Sequence, residues 1–382
     1  MSRLVNRILL SGLVAAALLV CSRPAVADEL LVFVSAFAPG DEGAIHAFTF
    51  DGDAGTLKQI HRTSDVEHPF FLAASPDGRF LYSIHAPGQF GGEQDELVAA
   101  FEIVSRNGEL KRLNQQSTRG TAACYLDVDA TGQTVVVANY LTGSVAAFPV
   151  NEDGSLGESV SFVQHVGASV NPDRQTEPHA HCFVVSPDNR FVFAADLGID
   201  QVLSYRLNAD DATLTPARQP YVRTPPGAGP RHLTFDPDGE HLYVINELDN
   251  SVTLFDYDAP TGILIEQQTI STLPDDFDGT SYCADLKITP DGQYLYGTNR
   301  GHDSIAAYRI DDQGRLTLLG IEPSLGKGPQ NLAITPDGRF LLCANMPGNN
   351  LVVFRIDPET GLIQPEGDPL SMPSPSCIVL LD

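Results

Sequence analysis

A tight-turn signature flanked by short apolar runs recurs six times along this chain, and that repetition limits the possible folds more than composition does. The copies are PFFLAASPDGRFLYSIHA, CYLDVDATGQTVVVANY, HCFVVSPDNRFVFAADL, RHLTFDPDGEHLYVINEL, DLKITPDGQYLYGTNR and NLAITPDGRFLLCANM. In the Pro-Asp-Gly copies Pro presets φ and Gly supplies a positive φ, as a tight reversal requires. The flanking runs are rich in β-branched and aromatic residues, which is strand composition. Seven further segments, GAIHAFTFDGDAGTLKQI and GSVAAFPVNEDGSLGES among them, alternate apolar and polar residues about a central turn and read as hairpins.

A repeat of about 46 to 57 residues holding four strands has the size of one propeller blade. Complete units begin at Pro69, Ala122, Pro178, Pro230, Tyr282 and Pro329. Three strands remain at the N-terminus (LLVFVSAF, AIHAFTF, TLKQIHR) and one at the C-terminus (PSCIVLL). The expected fold is therefore all-β: a seven-bladed β-propeller with four antiparallel strands per blade, the seventh blade assembled from both chain ends. Such closure leaves no free strand edge around the ring. A single domain over residues 28–382 follows, because each blade buries its faces against its neighbours.

The segment before that domain has a different character. Arg3 and Arg7 precede LLSGLVAAALLVC, and Ala25-Val26-Ala27 offers a small-residue cleavage site. This predicts a secretory signal over residues 1–27 and a periplasmic or secreted protein. Cys21 follows Leu-Val rather than the small residue that a lipid-anchor site prefers. No later run reaches 18 apolar residues, so no membrane span is expected. Loss of residues 1–27 would leave 20 basic and 49 acidic residues, a net charge of −29. A chain so negative repels nucleic acid and anionic membranes, and neither is expected as a partner. A monomer is expected. Five cysteines remain (Cys124, Cys182, Cys283, Cys343, Cys377), an odd number with no CxxC pair, and all lie in apolar runs as buried thiols would.

Against that background, a cluster of Arg and His needs a cause. Alignment on the turn puts Phe70, Cys124, His181, Arg231, Ala284 and Gln330 six residues before the Pro position, where they should ring the central channel at one depth. Two residues earlier stand His68, Ala122, His179, Gly229, Tyr282 and Gly328. Strand alternation would point His179 and His181 the same way, with their Cα atoms roughly 7 Å apart. Nine residues after the Pro position stand His85, Asn139, Asp196, Asn246, Asn299 and Asn345, a repeated polar position that reads as turn-capping. One residue further come Ala86, Tyr140, Leu197, Glu247, Arg300 and Met346, where two charges appear that repetition does not require.

His181, Arg231, Glu247 and Arg300 thus fall on three consecutive blades as one arc of one mouth, with Arg174, Gln175 and Glu177 on the loop entering the first of them. Plainer readings exist for several of these residues. Glu247 could serve only as the ion-pair partner of Arg231 or Arg300, and His232, one step out of register, could simply pack. His68 and His85 lie at the same mouth with either role open. Asp275, Asp276 and Asp278 lack the ordered spacing of a calcium loop and read as solvated. The His179-Ala180-His181 pair has no obvious third zinc ligand. Neither metal nor cofactor is expected.

The motifs RQTEPHAH, DLGIDQV, GPRHLTF, YVINELDNSV, STLPDDF and NRGHDSIAAY, at this blade spacing, resemble the seven-bladed propeller lactonase family. That family includes propeller-type 6-phosphogluconolactonases and fungal carboxy-cis,cis-muconate cyclases. The resemblance implies a metal-independent mouth site where His, Arg and Glu act on a lactone bearing an anionic group. Matched by motif, its members are Arg174, His179, His181, Arg231, Glu247 and Arg300. The residue chemistry agrees, since lactone hydrolysis needs a base for water and donors for the developing oxyanion.

His179 or His181 would be the base, oriented by Glu177 or Glu247. Arg231 and Arg300 would receive the oxyanion or grip a carboxylate or phosphate. Arg174 would hold the anionic tail, with Gln175 and His232 as further substrate contacts. Two departures count against phosphogluconolactone itself. Export would separate the protein from a cytoplasmic sugar phosphate, and Gln330-Asn331 stands where the matching segment two units earlier has Arg231-His232. A lactonising cyclase and a non-catalytic anion-binding propeller are the alternatives.

Overall fold

The computed structural model describes residues 29–382, so the expected signal over 1–27 lies outside the described residues. Seven antiparallel sheets radiate from one axis, six of them built from strands consecutive in the chain. The seventh joins Pro375–Leu381 to Leu30–Ala36, Ala44–Asp51 and Thr56–Thr63 in that order, with Val34 opposite Ile378. Blades 1 to 6 follow chain order, and blade 7 is the one closed by both ends. Their innermost strands are Phe71–Ala74, Ala123–Val128, Ala180–Val185, Pro230–Phe235, Tyr282–Ile288, Pro329–Ile334 and Pro375–Leu381. Each touches the next, and Pro375–Leu381 touches the strands of both blade 6 and blade 1, which completes the circle.

The core lies between blades. Phe193, Val244, Phe255 and Tyr257 form one such layer where blades 3 and 4 face each other, and Tyr243, Leu254, Leu286 and Tyr308 form the next. Burying a Phe or Val side chain stabilises by roughly 1.5–3 kcal/mol, so these layers hold the disc together. Repeated turns set the strand register. Gly78, Gly239, Gly292 and Gly338 adopt φ between 66° and 73°, and a hydroxyl just before the turn bonds the turn Asp (Ser75 to Asp77, Thr289 to Asp291, Thr335 to Asp337, each 2.6 Å).

Two features depart from the pattern read off the sequence. In blade 2 the expected hairpin after Pro149 closes only the bridge between Val150 and Leu156, and the outer strand forms later, at Ser161–Gln164. Pro149 has no N–H with which to carry the ladder onward. The second departure recurs. In six sheets the innermost strand shifts register at the same place, beside Cys124, His181, Arg231, Ala284, Gln330 and Ser376. In blade 1 the strand starts just beyond that place, at Phe71. Plain alternation therefore does not govern His179 and His181. His181 is itself the residue that the pairing skips.

Among the described residues no helix is long and apolar enough to cross a membrane. Cys124, Cys182, Cys283, Cys343 and Cys377 are all buried and unpaired.

Candidate active site at the propeller mouth

A β-bulge leaves one residue outside the ladder and re-aims its side chain. Here it lifts one residue per blade toward the channel, and the second strand of each blade ends beside it. Those second-strand ends are pinned by the repeated Asn series. The Nδ2 groups of Asn139, Asn299 and Asn345 donate to Thr118 O, Thr272 O and Ser324 O at 3.0, 2.9 and 3.0 Å, tying each blade to the loop before it. In blade 3 Asp196 takes the position and accepts from His165 Nδ1 (2.6 Å) and the His179 N–H (2.7 Å). The residue after each belt position is thereby fixed at the mouth, and in blades 4 and 5 it is Glu247 and Arg300.

Glu247 is the hub. Its Oε1 accepts from Arg174 Nη2 at 2.7 Å, and its Oε2 accepts from Arg231 Nε at 3.0 Å and Arg300 Nη2 at 2.7 Å. Burial alone would push this carboxyl up, but the guanidiniums of Arg300, Arg231 and Arg174 outweigh it and hold it down to about 2. Arg231 is the largest fully buried side chain, 1% exposed. Its Nη1 donates to Ala284 O at 2.5 Å and to His232 Nε2 at 3.1 Å. Burial and the neighbouring Arg300 lower it to about 10. Arg174 and Arg300 keep partial exposure and face the opening.

The two histidines of the HAH motif meet at Tyr140. The His179 ring stacks on it (4.5 Å, 12°) and the His181 ring packs edge-on against it (5.4 Å). Tyr140 O lies 3.1 Å from His179 Nδ1. A carbonyl can only accept, so Nδ1 carries a proton, and in the neutral ring the lone pair is on Nε2. His181 Nδ1 lies 3.6 Å from Cys124 Sγ, and burial with the nearby Arg231 charge lowers its pKa far below the usual histidine range.

Beneath them the channel is plugged. His232 sits edge-on to His181 (5.3 Å), Tyr125 (5.0 Å) and Phe71 (5.9 Å). Its Nδ1 donates to Asp285 Oδ1 at 2.9 Å. Asp285 also receives Lys287 Nζ (2.8 Å), Asn331 Nδ2 (2.8 Å) and the Leu332 N–H (2.9 Å). Burial and Arg231 bring the His232 pKa down to about 4. Glu247, Arg231, His232, Asp285 and Lys287 thus form one continuous polar chain along the axis.

The arc expected from register is therefore assembled around one carboxylate: Arg174, His179, His181, Arg231, Glu247 and Arg300 share one neighbourhood. Three other expected contacts take different places. Gln175 is fully buried, its Nε2 donating to Leu197 O (2.8 Å) and Asp200 Oδ1 (2.6 Å), so it holds the loop rather than a ligand. Glu177 is exposed and has no side-chain hydrogen bond among the described residues, so it orients neither histidine. His232 spends both ring nitrogens on Asp285 and Arg231, which leaves none for substrate. His85 is buried in its blade, and Asp275, Asp276 and Asp278 are exposed. Among the described residues no three His, Cys, Asp or Glu side chains gather as metal ligands.

Two members escaped the sequence reading. Tyr140 accepts from Arg174 Nη2 at 3.2 Å and carries both histidines. Asp285 belongs to the register row one step deeper (Phe71, Tyr125, Cys182, His232, Asp285, Asn331), where a lone carboxylate in the same row as His232 was the available clue.

Known proteins share this sequence pattern and this fold. The family described as lactonase, 7-bladed beta-propeller, matches residues 31–380. A 6-phosphogluconolactonase of Bacillus subtilis (strain 168) is 35% identical over 350 residues, covering 91% of this chain and 97% of its own. A 6-phosphogluconolactonase of Formosa agariphila is 34% identical over 309 residues, covering 79% and 85%. The solved structure of the Pseudomonas aeruginosa periplasmic gluconolactonase PpgL superposes with a TM-score of 0.86 at 32% identity, covering 92% of this chain and 99% of its own.

Proposed function

The chain belongs to the seven-bladed β-propeller lactonase family, and from that premise we propose that it is an exported hydrolase of a small anionic lactone of the sugar-acid type. The observation that carries the anionic substrate is the imbalance at Glu247, where three guanidiniums surround one carboxylate in a chain of formal net charge −26. A carboxylate or phosphate entering the mouth supplies the missing negative charge and can be gripped by the partly exposed Arg174 and Arg300.

His179 is the better placed base. Its Nε2 lone pair takes a proton from water as the oxygen attacks the lactone carbonyl. The carbonyl π pair becomes the oxyanion, received by the arginines of the arc. Collapse re-forms the carbonyl, breaks the ring C–O bond and returns the proton from Nε2 to the departing alkoxide. His181 is less suited, because its burial beside Arg231 disfavours taking up a proton. Its place is to pack Tyr140 and His232. Export is supported by the character of residues 1–27 and by the likeness to a periplasmic gluconolactonase.

The test is a pH-stat panel of 6-phosphogluconolactone, gluconolactone, glucuronolactone and muconolactone with the purified protein. Turnover of at least one anionic lactone, lost in His179→Ala, is expected. Tight calorimetric binding of these ligands with no turnover would instead make this a binding propeller. Net ring closure of an unsaturated dicarboxylate would make it a cyclase.

A further inference from the structure

Phe37 and Phe70 occupy, on the far side of the ring, the two register positions that hold Glu247 and Arg231 in blade 4. Ala36 pairs with Ala44 as Asn246 pairs with Ser251, so Phe37 follows its strand as Glu247 does. The N–H of Phe37 reaches Ser374 O at 2.9 Å, and that of Glu247 reaches Gly229 O at 2.7 Å. Phe70 precedes Phe71 as Arg231 precedes His232. Blade 1 stands three blades from blade 4, which in a seven-membered ring is across the channel.

Phe70 and Phe37 meet at 5.2 Å, and Phe90 meets them at 5.3 and 5.0 Å. His68 packs on Phe37 at 5.2 Å, with its Nδ1 on Ala86 O at 3.2 Å. All four side chains are only half-buried. The loop carrying Phe90 is anchored, since buried Glu96 accepts from the Gly91 N–H (2.7 Å) and Glu67 accepts from the Gly88 N–H (2.6 Å). One step deeper, the rings of Phe71 and His232 meet across the axis at 5.9 Å, so the two sides of the ring come together beneath the mouth. One wall of the mouth is cationic, and the wall facing it is aromatic and nearly free of hydrogen-bonding groups.

We propose that Phe37, Phe70 and Phe90 form a specificity subsite for an apolar edge of the substrate, so that the preferred lactone carries its anionic group at one end and a deoxy, alkyl or aryl edge at the other. This rests on the lactonase reading and narrows it: the sugar-acid character belongs to the end held by the arginines. A hydroxyl pressed against the phenyl rings would lose its water without gaining a partner, whereas a hydrocarbon edge gains by leaving water.

The test measures kcat/KM by pH-stat for a series of paraconic acids bearing hydrogen, propyl, pentyl or phenyl on the ring carbon bonded to the ring oxygen, with 6-phosphogluconolactone alongside. Each buried methylene should raise kcat/KM by roughly fourfold until the wall is covered, the equivalent of about 0.8 kcal/mol per CH2. Phe70→Ala should reduce the pentyl-to-hydrogen ratio toward one, while Phe70→Leu keeps most of it, with thermal melts confirming that both variants fold. Hydrolysis that ignores the substituent, or a ratio unchanged in Phe70→Ala, overturns the subsite and leaves the lactonase reading standing. No turnover of any lactone in the set overturns the lactonase reading and this proposal together.

Discussion

Arg231 donates its Nε–H to Glu247 Oε2 at 3.0 Å while the two side chains retain only 2% and 7% of their exposure. The same guanidinium also reaches Ala284 O and His232 Nε2, so three acceptors in different directions depend on one planar fork. A lysine ammonium at that place cannot serve all three. Arg231→Lys should therefore lower kcat/KM by about 100-fold, the cost of losing one oriented oxyanion donor. Steady-state kinetics on a responsive lactone checks this, and full activity in the variant removes the clamp role.

Glu247→Gln leaves three guanidiniums without their shared counter-charge. Breaking a buried pair from one side costs roughly 3–5 kcal/mol, so the denaturation midpoint should fall clearly at pH 7. The pH dependence carries the sign. The folded carboxyl lies near 2, below its ordinary 4.5, so its stabilisation is present above 4.5 and is lost as pH falls from there toward 2. The parent protein should show that loss in urea titrations across the window, and the variant should show less of it.

The two histidines should separate kinetically. His179→Ala should reduce kcat by roughly 10²–10⁴-fold with a smaller effect on KM, as loss of a general base does. His181→Ala should cost less in kcat. An undiminished kcat in His179→Ala would pass the base role to another group.

His232 should stay neutral down to about pH 4, with its proton on Nδ1 facing Asp285. Its folded value lies below 6.5, so the stability it contributes is complete above 6.5 and lost as pH falls toward 4. Imidazole ¹⁵N shifts recorded between pH 4 and 7 check both tautomer and titration.

The thiols should be silent. All five described cysteines are buried, and burial pushes Cys283 and Cys377 up to about 12. A thiol-reactive disulfide reagent should find none in the native protein lacking residues 1–27, and five in denaturant. Prompt native reaction at any of them would mean that a blade interface opens.

The ring and its closure could be counted from the chain, because the turn repeats and PSCIVLL matched the innermost strand that the N-terminal segment lacked. Equal offsets also pointed to the arc around Glu247. What the offsets could not convey was the bulge beside His181 and Arg231, since a register shift shows only once strands are paired. Asp285 is hidden for a related reason: it lies one step off the row of His181 and Arg231, and its pairing with His232 spans 53 residues of chain. Gln175 and Glu177 sit on a loop, where no repeat predicts which side chains turn inward.

The strand Pro375–Leu381 is inserted between Leu30–Ala36 of its own blade and the innermost strands of its two neighbours. A strand from the C-terminal side of the propeller therefore completes the blade begun on its N-terminal side. Until it arrives, the growing polypeptide has an unsatisfied ladder at one end and an open seam at the other, and such edges recruit other chains. The circle of blades is therefore closed only when strands more than 300 residues apart in the chain have met.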